Sequence, residues 1–342
     1  MRVTIKDIAR ECKVSVATVS LALSNKPSRI SETTRRQVLE MAEKLHYKPN
    51  QAAVSLVTKQ SKFIGVIIND LRNSHIASLF MAIDQKIQDK GYIPICHILN
   101  DENKEENGQV IRDLVASGLA GMIWGKPYLD FDNNDRFDIK EYIEMAGIPV
   151  VSMDEYGFNC QGTDICFDYY QAGYLAAQHL IELGHNRIGC VTGPMNYKVT
   201  LERLNGYKKA LKEAGIDFDK DLVYHGDYTM VSGSESLSYL LGQKATAIFS
   251  FNDEMAFGIY QSARQYGVHI PKDLSVIGCD NVPFSNVLEV PLSTIHVPVR
   301  DIGNVMGAEL VKAIENKRDE PRRKIEYKPK LLLRGSTMKY QS

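Results

Sequence analysis

The spacing of hydrophobic and polar positions changes near residue 63. Before that point, apolar residues recur every three or four positions over short stretches, which indicates short helices. After it, apolar runs of four to seven residues alternate with longer stretches of helical spacing. This alternation is typical of parallel β-sheets covered by helices. The pattern therefore predicts a small all-α region followed by a larger α/β region.

Three helices are predicted in residues 1–48. Thr4 followed by Asp7 is a helix-start pattern, and that helix runs to about Cys12. Lys13 marks a tight turn, and Ser15 caps the second helix, which ends near residue 23. The inner stripe of the first helix comprises Ile5, Ile8 and Ala9. Val14, Val19 and Leu23 share one face of the second helix, and Val16, Ala17, Ser20 and Leu21 share the other.

The third helix closes this small unit. Ser31 caps it, and it extends from Glu32 to Leu45. Its predicted core stripe is Val38, Leu39, Ala42 and Leu45. Two short helices joined by a tight turn, with a third that completes the core, are typical of a helix-turn-helix DNA-binding unit. A purely structural three-helix cap is the alternative that this pattern leaves open.

A junction follows the third helix. Pro49 disfavours helix at residue 48, Asn50 can cap one more short helix to about Val57, and residues 58–62 form a polar linker. A helix this short is unstable alone, so we expect it to fold against a second copy or against DNA. We therefore expect a DNA-binding domain at 1–48, a hinge at 49–62, and a body at 63–342.

The body contains more strands than one sheet of ordinary size, so two α/β lobes are predicted. The expected strands are 63–68, 92–98, 120–125, 149–153, 187–192, 246–251 and 274–280. The expected helices are 76–89, 105–117, 170–183, 201–214, 232–241 and 253–266. The first lobe is assigned residues 63–158 and 292–320, and the second lobe residues 159–291 and 321–342.

Polar residues follow these strands directly, and in open parallel sheets the carboxyl ends of the strands form the ligand crevice. Carboxylates and amides gathered there suit a polyhydroxyl ligand, because each can bond paired hydroxyls. For any single residue, a helix N-cap is the competing role, and Asp253 and Asn69 fit that role well. The set comprises Asn69, Asp70, Gly125, Lys126, Asp154, Gly193, Asn252, Asp253, Asp280 and Asn281.

Charge and composition narrow the function classes. Residues 1–62 carry twelve Lys or Arg against five Asp or Glu, whereas the whole chain has a net charge of −1. A basic first region suggests a polyanionic partner. Six cysteines without CxxC spacing predict free thiols and a cytoplasmic location, and no apolar run is long enough to cross a membrane. Phosphate-loop, dinucleotide and hydrolase motifs are absent from the sequence, so we expect neither an enzyme nor a cofactor or metal.

Long stretches of the chain resemble the LacI/GalR family of transcription regulators. They include VTIKDIARECKVSVATVS, ISETTRRQVLEMAEKLHYKPNQAAVSL, GYLAAQHLIELGHNRIGCVTGP, ERLNGYKKAL, TAIFSFNDEMAFGIYQSARQYGVHIPKDLSVIGCDN and PLSTI. The resemblance implies a periplasmic-binding-protein-like body and a homodimer. It also implies that two recognition helices enter successive major grooves of a near-palindromic operator. Paired hinge helices would lie in the minor groove, with Leu56 as an apolar wedge.

The family pattern also assigns candidate DNA contacts. Val16 and Ala17 occupy the variable readout positions, Leu21 stands where relatives commonly have Arg or His, and Val54 replaces a common hinge Arg. We therefore expect an operator read more through thymine methyls and central bendability than through outer guanines. The candidate contacts are Thr4, Lys6, Ser15, Val16, Ala17, Thr18, Ser20, Leu21, Asn25, Arg29, Thr34, Asn50, Ala53 and Leu56.

The same resemblance assigns an effector site between the lobes. Arg203 matches the arginine that grips the effector, and Tyr228 and Phe167 match its aromatic walls. Where relatives often read Asn-Pro-Phe-Phe, this chain has Asn73-Ser74-His75-Ile76. His75 either bonds an effector hydroxyl or phosphate or caps the following helix. The candidate effector residues are Asn73, His75, Asp154, Phe167, Arg203, Tyr228, Asn252 and Asp280.

These features predict a sequence-specific repressor whose operator binding is modulated by a small molecule, expected to be a sugar or sugar derivative. The alternative is a regulator controlled by a partner protein docked on the first lobe. The sequence leaves open whether the effector releases the operator or promotes binding to it.

Overall fold

A computed structural model of the chain describes residues 3–23, 30–47, 61–99, 104–125, 140–155, 157–316 and 321–341. The chain divides into two compact units, Met1–Lys62 and Phe63–Ser342. The predicted hinge helix and five of the candidate DNA contacts lie outside the described residues. These five are Asn25, Arg29, Asn50, Ala53 and Leu56.

The first unit contains three helices, α1 (Ile5–Cys12), α2 (Val16–Leu23) and α3 (Glu32–Lys44). Their starts follow the predicted caps. The Thr4 amide donates to Asp7 Oδ2 at 2.9 Å, and the Thr18 amide donates to Ser15 Oγ at 3.0 Å. Lys13 has a positive φ of 53°, which ends α1 in the predicted tight turn. The buried hydrophobic positions are Ile8, Ala9, Cys12, Val19, Ala22, Val38 and Ala42.

One predicted core position of α3 is wrong. Leu39 is 47% exposed, whereas Val38 and Ala42 are buried. Residues four apart lie on one face of a helix, and Leu39 is rotated by about 100° from Val38. Val38, Ala42 and the partly buried Leu45 therefore form the inner stripe without it.

The second unit is built on two six-stranded sheets. The first sheet has the strand order β11-β5-β4-β3-β1-β2, and all of its neighbouring strands are parallel. Its strands are β1 (Phe63–Ile68), β2 (Ile93–Ile98), β3 (Gly121–Trp124), β4 (Val150–Met153), β5 (Gly162–Phe167) and β11 (Arg323–Tyr327).

The second sheet has the order β12-β10-β9-β8-β6-β7 and is parallel except for the β10–β12 pair. Its strands are β6 (Ile188–Thr192), β7 (Val223–His225), β8 (Ala247–Ser250), β9 (Ser275–Asp280), β10 (Ser293–His296) and β12 (Lys330–Leu332). The predicted two-lobed α/β body with parallel sheets is thus confirmed.

The helices of this unit cover the sheets. They include α4 (Ser74–Gln88), α5 (Lys104–Ala116), α6 (Tyr169–Glu182), α7 (Lys198–Glu213), α8 (Met230–Gly242), α9 (Asp253–Tyr266) and α10 (Val299–Glu315), and the described residues 140–145 are helical as well. Each of the six helices predicted for the body has a counterpart here, whereas α10 and the helical residues 140–145 are additions.

The strands divide between the sheets differently from the expected lobe bounds. β5 and β11 belong to the first sheet although their residues were assigned to the second lobe, and β10 belongs to the second sheet although it was assigned to the first. Backbone pairing decides membership. Gly162 is opposite Val150 of β4, and Ser293 is opposite Ile277 of β9. The chain therefore crosses between the sheets at Asp168, between β10 and α10, and between β11 and β12.

Candidate DNA-binding face and effector cleft

The second helix of the first unit presents one face to solvent. Val16 and Leu21 are 41% and 48% exposed, and Ala17 and Ser20 are exposed beside them, whereas Val19 on the opposite face is fully buried. The Ser15 and Thr18 hydroxyls lie 2.8 Å apart at the start of this helix. Thr4 and Lys6 are exposed, and Thr34 is partly buried at the first turn of α3. The exposed face is small and mostly apolar, so another backbone or a base edge can approach it closely.

Arg203 is the central charge of the second unit's cleft. Helix α7 places it where only 5% of the residue is exposed. One guanidinium nitrogen, Nη1, donates to the Tyr228 hydroxyl at 3.2 Å, and the other, Nη2, lies 3.9 Å from Asp280 Oδ1. The guanidinium carbon lies 4.8 Å from the centre of the Tyr169 ring, within cation–π range. A buried cation is thus held by one carboxylate and two aromatic rings.

Two carboxyl groups in this region are deeply buried. Burial raises the pKa of Asp280 to about 7, with Arg203 acting in the opposite direction. Burial and then the Glu202 charge raise the pKa of Asp154 to about 7. Both groups therefore change protonation near neutral pH, and each can donate as well as accept a hydrogen bond there.

The backbone is strained at three of the predicted effector residues. Asp154, Tyr228 and Asp280 have φ values of 62°, 70° and 120°, in the region that side chains other than glycine rarely adopt. Strain of this kind costs of the order of 1–3 kcal/mol per residue and persists where the surroundings enforce it. Because this backbone strain occurs at three residues of one cleft, it supports a functional role for Asp154, Tyr228 and Asp280.

His75 faces the cleft and does not cap the helix. The α4 cap is Asn73, whose Oδ1 accepts hydrogen bonds from the His75 and Ile76 amides at 2.9 and 3.4 Å. Burial and then the Arg203 charge lower the pKa of His75 to about 3, so its ring is neutral. Nδ1 of His75 lies 3.7 Å from Asp280 Oδ1. The first turn of α4 thus brings a neutral imidazole from the first sheet's side against the charged residues of the second.

The expected caps among the other strand-end residues are partly wrong. Asn252 caps α9 by accepting from the Met255 amide at 2.9 Å, and its Nδ2 donates to the Tyr228 carbonyl at 3.0 Å. Asp253 instead accepts from the Thr294 hydroxyl at 2.6 Å and the Val282 amide at 3.0 Å, tying together the segments around β9 and β10. Asn69 caps no helix, because Asn73 already occupies the cap of α4.

Three wall residues escaped the sequence analysis. The Tyr169 ring lies against both Arg203 and Phe167, with its centre 5.0 Å from that of the Phe167 ring. The Thr200 hydroxyl lies 2.7 Å from that of Tyr228, and the Tyr197 ring is 6.3 Å from the Tyr228 ring. Tyr169 obeys the same rule as the other candidates, since it closely follows the end of a strand. It escaped notice because β5 was not recognised as a strand.

Several buried polar atoms near the strand ends have no hydrogen-bond partner among the described residues. They include Asn69 Oδ1, His75 Nδ1, Asp154 Oδ2 and Arg203 Nε. An unsatisfied buried polar atom costs about 1–3 kcal/mol, so such atoms mark where an additional polar group would be stabilised. Within the described part of the chain, no cluster of three or more His, Cys, Asp or Glu could hold a metal ion. No helix in the described ranges is long and apolar enough to cross a membrane.

Comparison with known proteins agrees with the division of the chain into a first and a second unit. The profile described as "Bacterial regulatory proteins, lacI family" matches residues 4–50, and that of the "Periplasmic binding protein-like domain" matches residues 177–337. The HTH-type transcriptional repressor PurR of Aliivibrio salmonicida is 33% identical over 98% of this chain and 99% of its own length.

Two solved structures extend the comparison. The lac repressor dimer bound to operator and the anti-inducer ONPF superimposes with a TM-score of 0.85 and 26% identity, covering 99% of this chain and all of that one. A LacI-family regulator from Enterococcus faecium with bound ribose gives a TM-score of 0.72 and 25% identity, covering 82% of this chain and all of that one. The chain is thus similar to these regulators over its full length, and it has both a helix-turn-helix unit and a two-sheet body. The protein therefore belongs to the LacI family of bacterial regulatory proteins and is a DNA-binding transcriptional repressor.

Proposed function

We propose that the protein represses transcription as a homodimer on near-palindromic operator DNA, and that a neutral polyhydroxyl molecule bound in the Arg203 cleft modulates this binding. The observation that carries the proposal is the buried Arg203 between two tyrosine rings, with Asp280 at 3.9 Å. Aromatic rings cover the apolar faces of a sugar, and arginine and carboxyl groups bond its hydroxyl edge.

The unpartnered atoms favour a neutral ligand. Asn69 Oδ1 and Asp154 Oδ2 can accept hydrogen bonds, whereas Arg203 Nε can only donate. A hydroxyl group both donates and accepts, so a polyol can pair with both kinds of atom. A phosphate dianion would meet two buried carboxyl groups beside a single guanidinium that Asp280 already approaches. Charge balance therefore favours sugars over sugar phosphates.

The operator contact is proposed to lie on the exposed face of α2. Val16, Ala17, Ser20 and Leu21 are exposed there, and the buried Val19 anchors the helix to the rest of the first unit. Small side chains allow the helix backbone to come close to base edges in the major groove. The lac repressor structure, a dimer on operator DNA with a bound anti-inducer, supports this division of roles between the two units.

Isothermal calorimetry tests the effector proposal. Ribose and a panel of neutral mono- and disaccharides are titrated into the full chain, and each matching sugar phosphate is titrated in parallel. We expect at least one neutral sugar to bind and to change operator affinity in a gel-shift assay. Binding of phosphorylated compounds alone would contradict the proposed ligand class.

Arg203→Met provides the test of the site itself. Methionine fills part of the same space without the charge, so the sugar response should be lost while operator affinity is kept. Arg72→Met is the matched control, because the Arg72 side chain is 91% exposed. Loss of operator binding together with the sugar response would indicate a folding role for Arg203 instead.

A further inference from the structure

Helices α6 and α7 touch through two glycines. A Cβ atom added at Gly173 of α6 would lie less than 3.0 Å from the carbonyl oxygen, carbonyl carbon and Cα of Arg203. A Cβ added at Gly206 of α7 would lie equally close to the carbonyl oxygen of Tyr170. Real Cβ atoms essentially never approach other atoms so closely. Each glycine therefore admits the backbone of the opposite helix, and neither can carry a side chain without moving that helix.

The paired glycines lie beside the charged centre of the cleft. Tyr169 and Gly173 are four residues apart and share one face of α6, and Arg203 and Gly206 are three apart on α7. The backbone that presses on Gly173 is that of Arg203 itself. The separation of the two helices therefore sets the 4.8 Å distance between the Arg203 guanidinium and the Tyr169 ring.

Arg203 has little freedom to compensate for a displaced backbone. Only 5% of the residue is exposed, and its Nε has no hydrogen-bond partner among the described residues. Its other contacts come from different elements and include the Tyr228 hydroxyl at 3.2 Å and Asp280 at 3.9 Å. Moving α7 away from α6 would break the contact with Tyr169 and change the geometry to both of these groups.

We propose that Gly173 and Gly206 are positioning residues for the effector site, because their reciprocal packing sets the depth at which Arg203 enters the cleft. This inference rests on the proposed function only where it predicts a change in effector affinity. The geometric part stands on the glycine contacts and on the burial of Arg203. It predicts that a single methyl group at Gly173 alters the cleft without touching any ligand.

The same chain contains a matched control. Helices α8 and α9 pack through a second reciprocal pair, in which Gly258 faces the Met230 carbonyl and Gly233 faces that of Met255, again below 3.0 Å. Gly258→Ala imposes a comparable clash in the same lobe, on helices that carry neither Arg203 nor Tyr169. A general loss of packing affects both variants, whereas a clash with the Arg203 backbone itself occurs only in Gly173→Ala.

Histidine ring signals provide a readout that needs no ligand. Burial and the Arg203 charge keep the pKa of His75 at about 3, so its ring should not titrate between pH 5 and pH 8 in the parent. Burial is the larger cause of the low His75 pKa and remains in Gly173→Ala, so displacing Arg203 should raise the His75 midpoint only part of the way toward the ordinary value of about 6.5. The ring signals of selectively ¹³C-histidine-labelled full-length protein are therefore followed down to about pH 4. Gly258→Ala should keep the parent behaviour, and a His75→Gln spectrum assigns the signals.

The outcomes separate the two proposals. Unchanged His75 titration in Gly173→Ala, or equal changes in Gly173→Ala and Gly258→Ala, overturns the positioning role. Should Gly173→Ala fail to fold, Gly206→Ala displaces the same two helices through the Tyr170 carbonyl and should give the same shift in titration. No shift in that variant also overturns the role. A shifted titration, combined with no response of the parent's operator binding to ribose or the other sugars, supports the positioning geometry and contradicts the proposed effector function.

Discussion

Ser74 donates a hydrogen bond through its Oγ to Glu254 Oε1 at 2.8 Å, and this bond joins the two lobes of the body. Ser74 begins α4, which follows the first strand of the first sheet, and Glu254 lies in the first turn of α9, which follows β8 of the second. The neighbouring His75 also approaches the second sheet's side, where its Nδ1 lies 3.7 Å from Asp280 Oδ1 without a hydrogen bond. The first turn of α4 is therefore one place at which the lobes meet across the cleft.

Removing the Ser74 hydroxyl should favour separation of the lobes. A hydrogen bond to a charged group contributes about 1.5–3 kcal/mol when it is well shielded, and this partly buried bond should contribute about 1–2 kcal/mol. Small-angle scattering of ligand-free Ser74→Ala should give a larger radius of gyration than the parent. Ser78→Ala is the control, since the Ser78 hydroxyl bonds only the Ser74 carbonyl within the helix. Equal radii for all three proteins would show that this bond does not hold the lobes together.

Asp154→Asn should change how stability depends on pH. The pKa of Asp154 is raised from its ordinary 3.8 to about 7, so its contribution to stability is fully present below pH 3.8. That contribution is lost as the pH rises through 7, because an unprotonated carboxylate is then buried. The variant does not titrate at this position. Its free energy of unfolding relative to the parent should therefore increase by about 2–4 kcal/mol between pH 4 and pH 8.

Chemical denaturation at several pH values measures this difference. The His75 contribution has the opposite sign, since its pKa is lowered to about 3, but it occurs in both proteins and cancels. Asp113→Asn on the exposed side of α5 serves as the control. A constant difference between Asp154→Asn and the parent across this pH range would contradict the prediction.

Arg322 should be a major stabilising residue of the first sheet. Its Nε donates to both Asp164 oxygens at 2.9 Å, Nη1 to the Val150 carbonyl at 2.9 Å, and Nη2 to the Ser152 hydroxyl at 2.8 Å. The side chains of Arg322 and Asp164 are only 15% and 13% exposed. Arg322→Met leaves Asp164 buried without its cation, and we expect a loss of about 3–5 kcal/mol.

Arg72→Met is the comparison for Arg322→Met in thermal and urea unfolding. The Arg72–Asp70 pair is at the surface, so its loss should change stability far less than the loss of Arg322. Similar effects of the two substitutions would show that the Arg322 network adds little to stability.

Substitutions of Leu21 and Val19 in α2 should distinguish effects on DNA binding from effects on folding. Leu21→Ala removes an exposed side chain, so it should weaken binding to an operator selected from random DNA without changing the unfolding of the first unit. Val19→Ala truncates a fully buried side chain and should cost about 2 kcal/mol of stability. Circular dichroism and gel shifts measure the two effects. An invariant guanine in the selected sequences, at the base pair contacted by Leu21, would contradict the expected readout through thymine methyls.

Local sequence rules identified much of the architecture. The caps Thr4, Ser15 and Ser31 are encoded by hydrogen bonds within three residues, and strong apolar runs such as 63–68 identify buried strands without further context. Such features depend on neighbours along the chain, so the sequence alone determines them.

Other features needed the tertiary structure. β5 carries the charged Asp164 because this residue pairs with Arg322, which immediately precedes β11 and lies 158 residues away along the chain. The same holds for the cleft, where Tyr169, Arg203 and Asp280 meet only because three separate elements converge there. The amino-acid sequence by itself determined the caps, the strong strands, the helix-turn-helix unit and the family resemblance. The tertiary structure decided sheet membership, the role of His75 and the depth of Arg203, because these depend on contacts between residues that are remote in the chain.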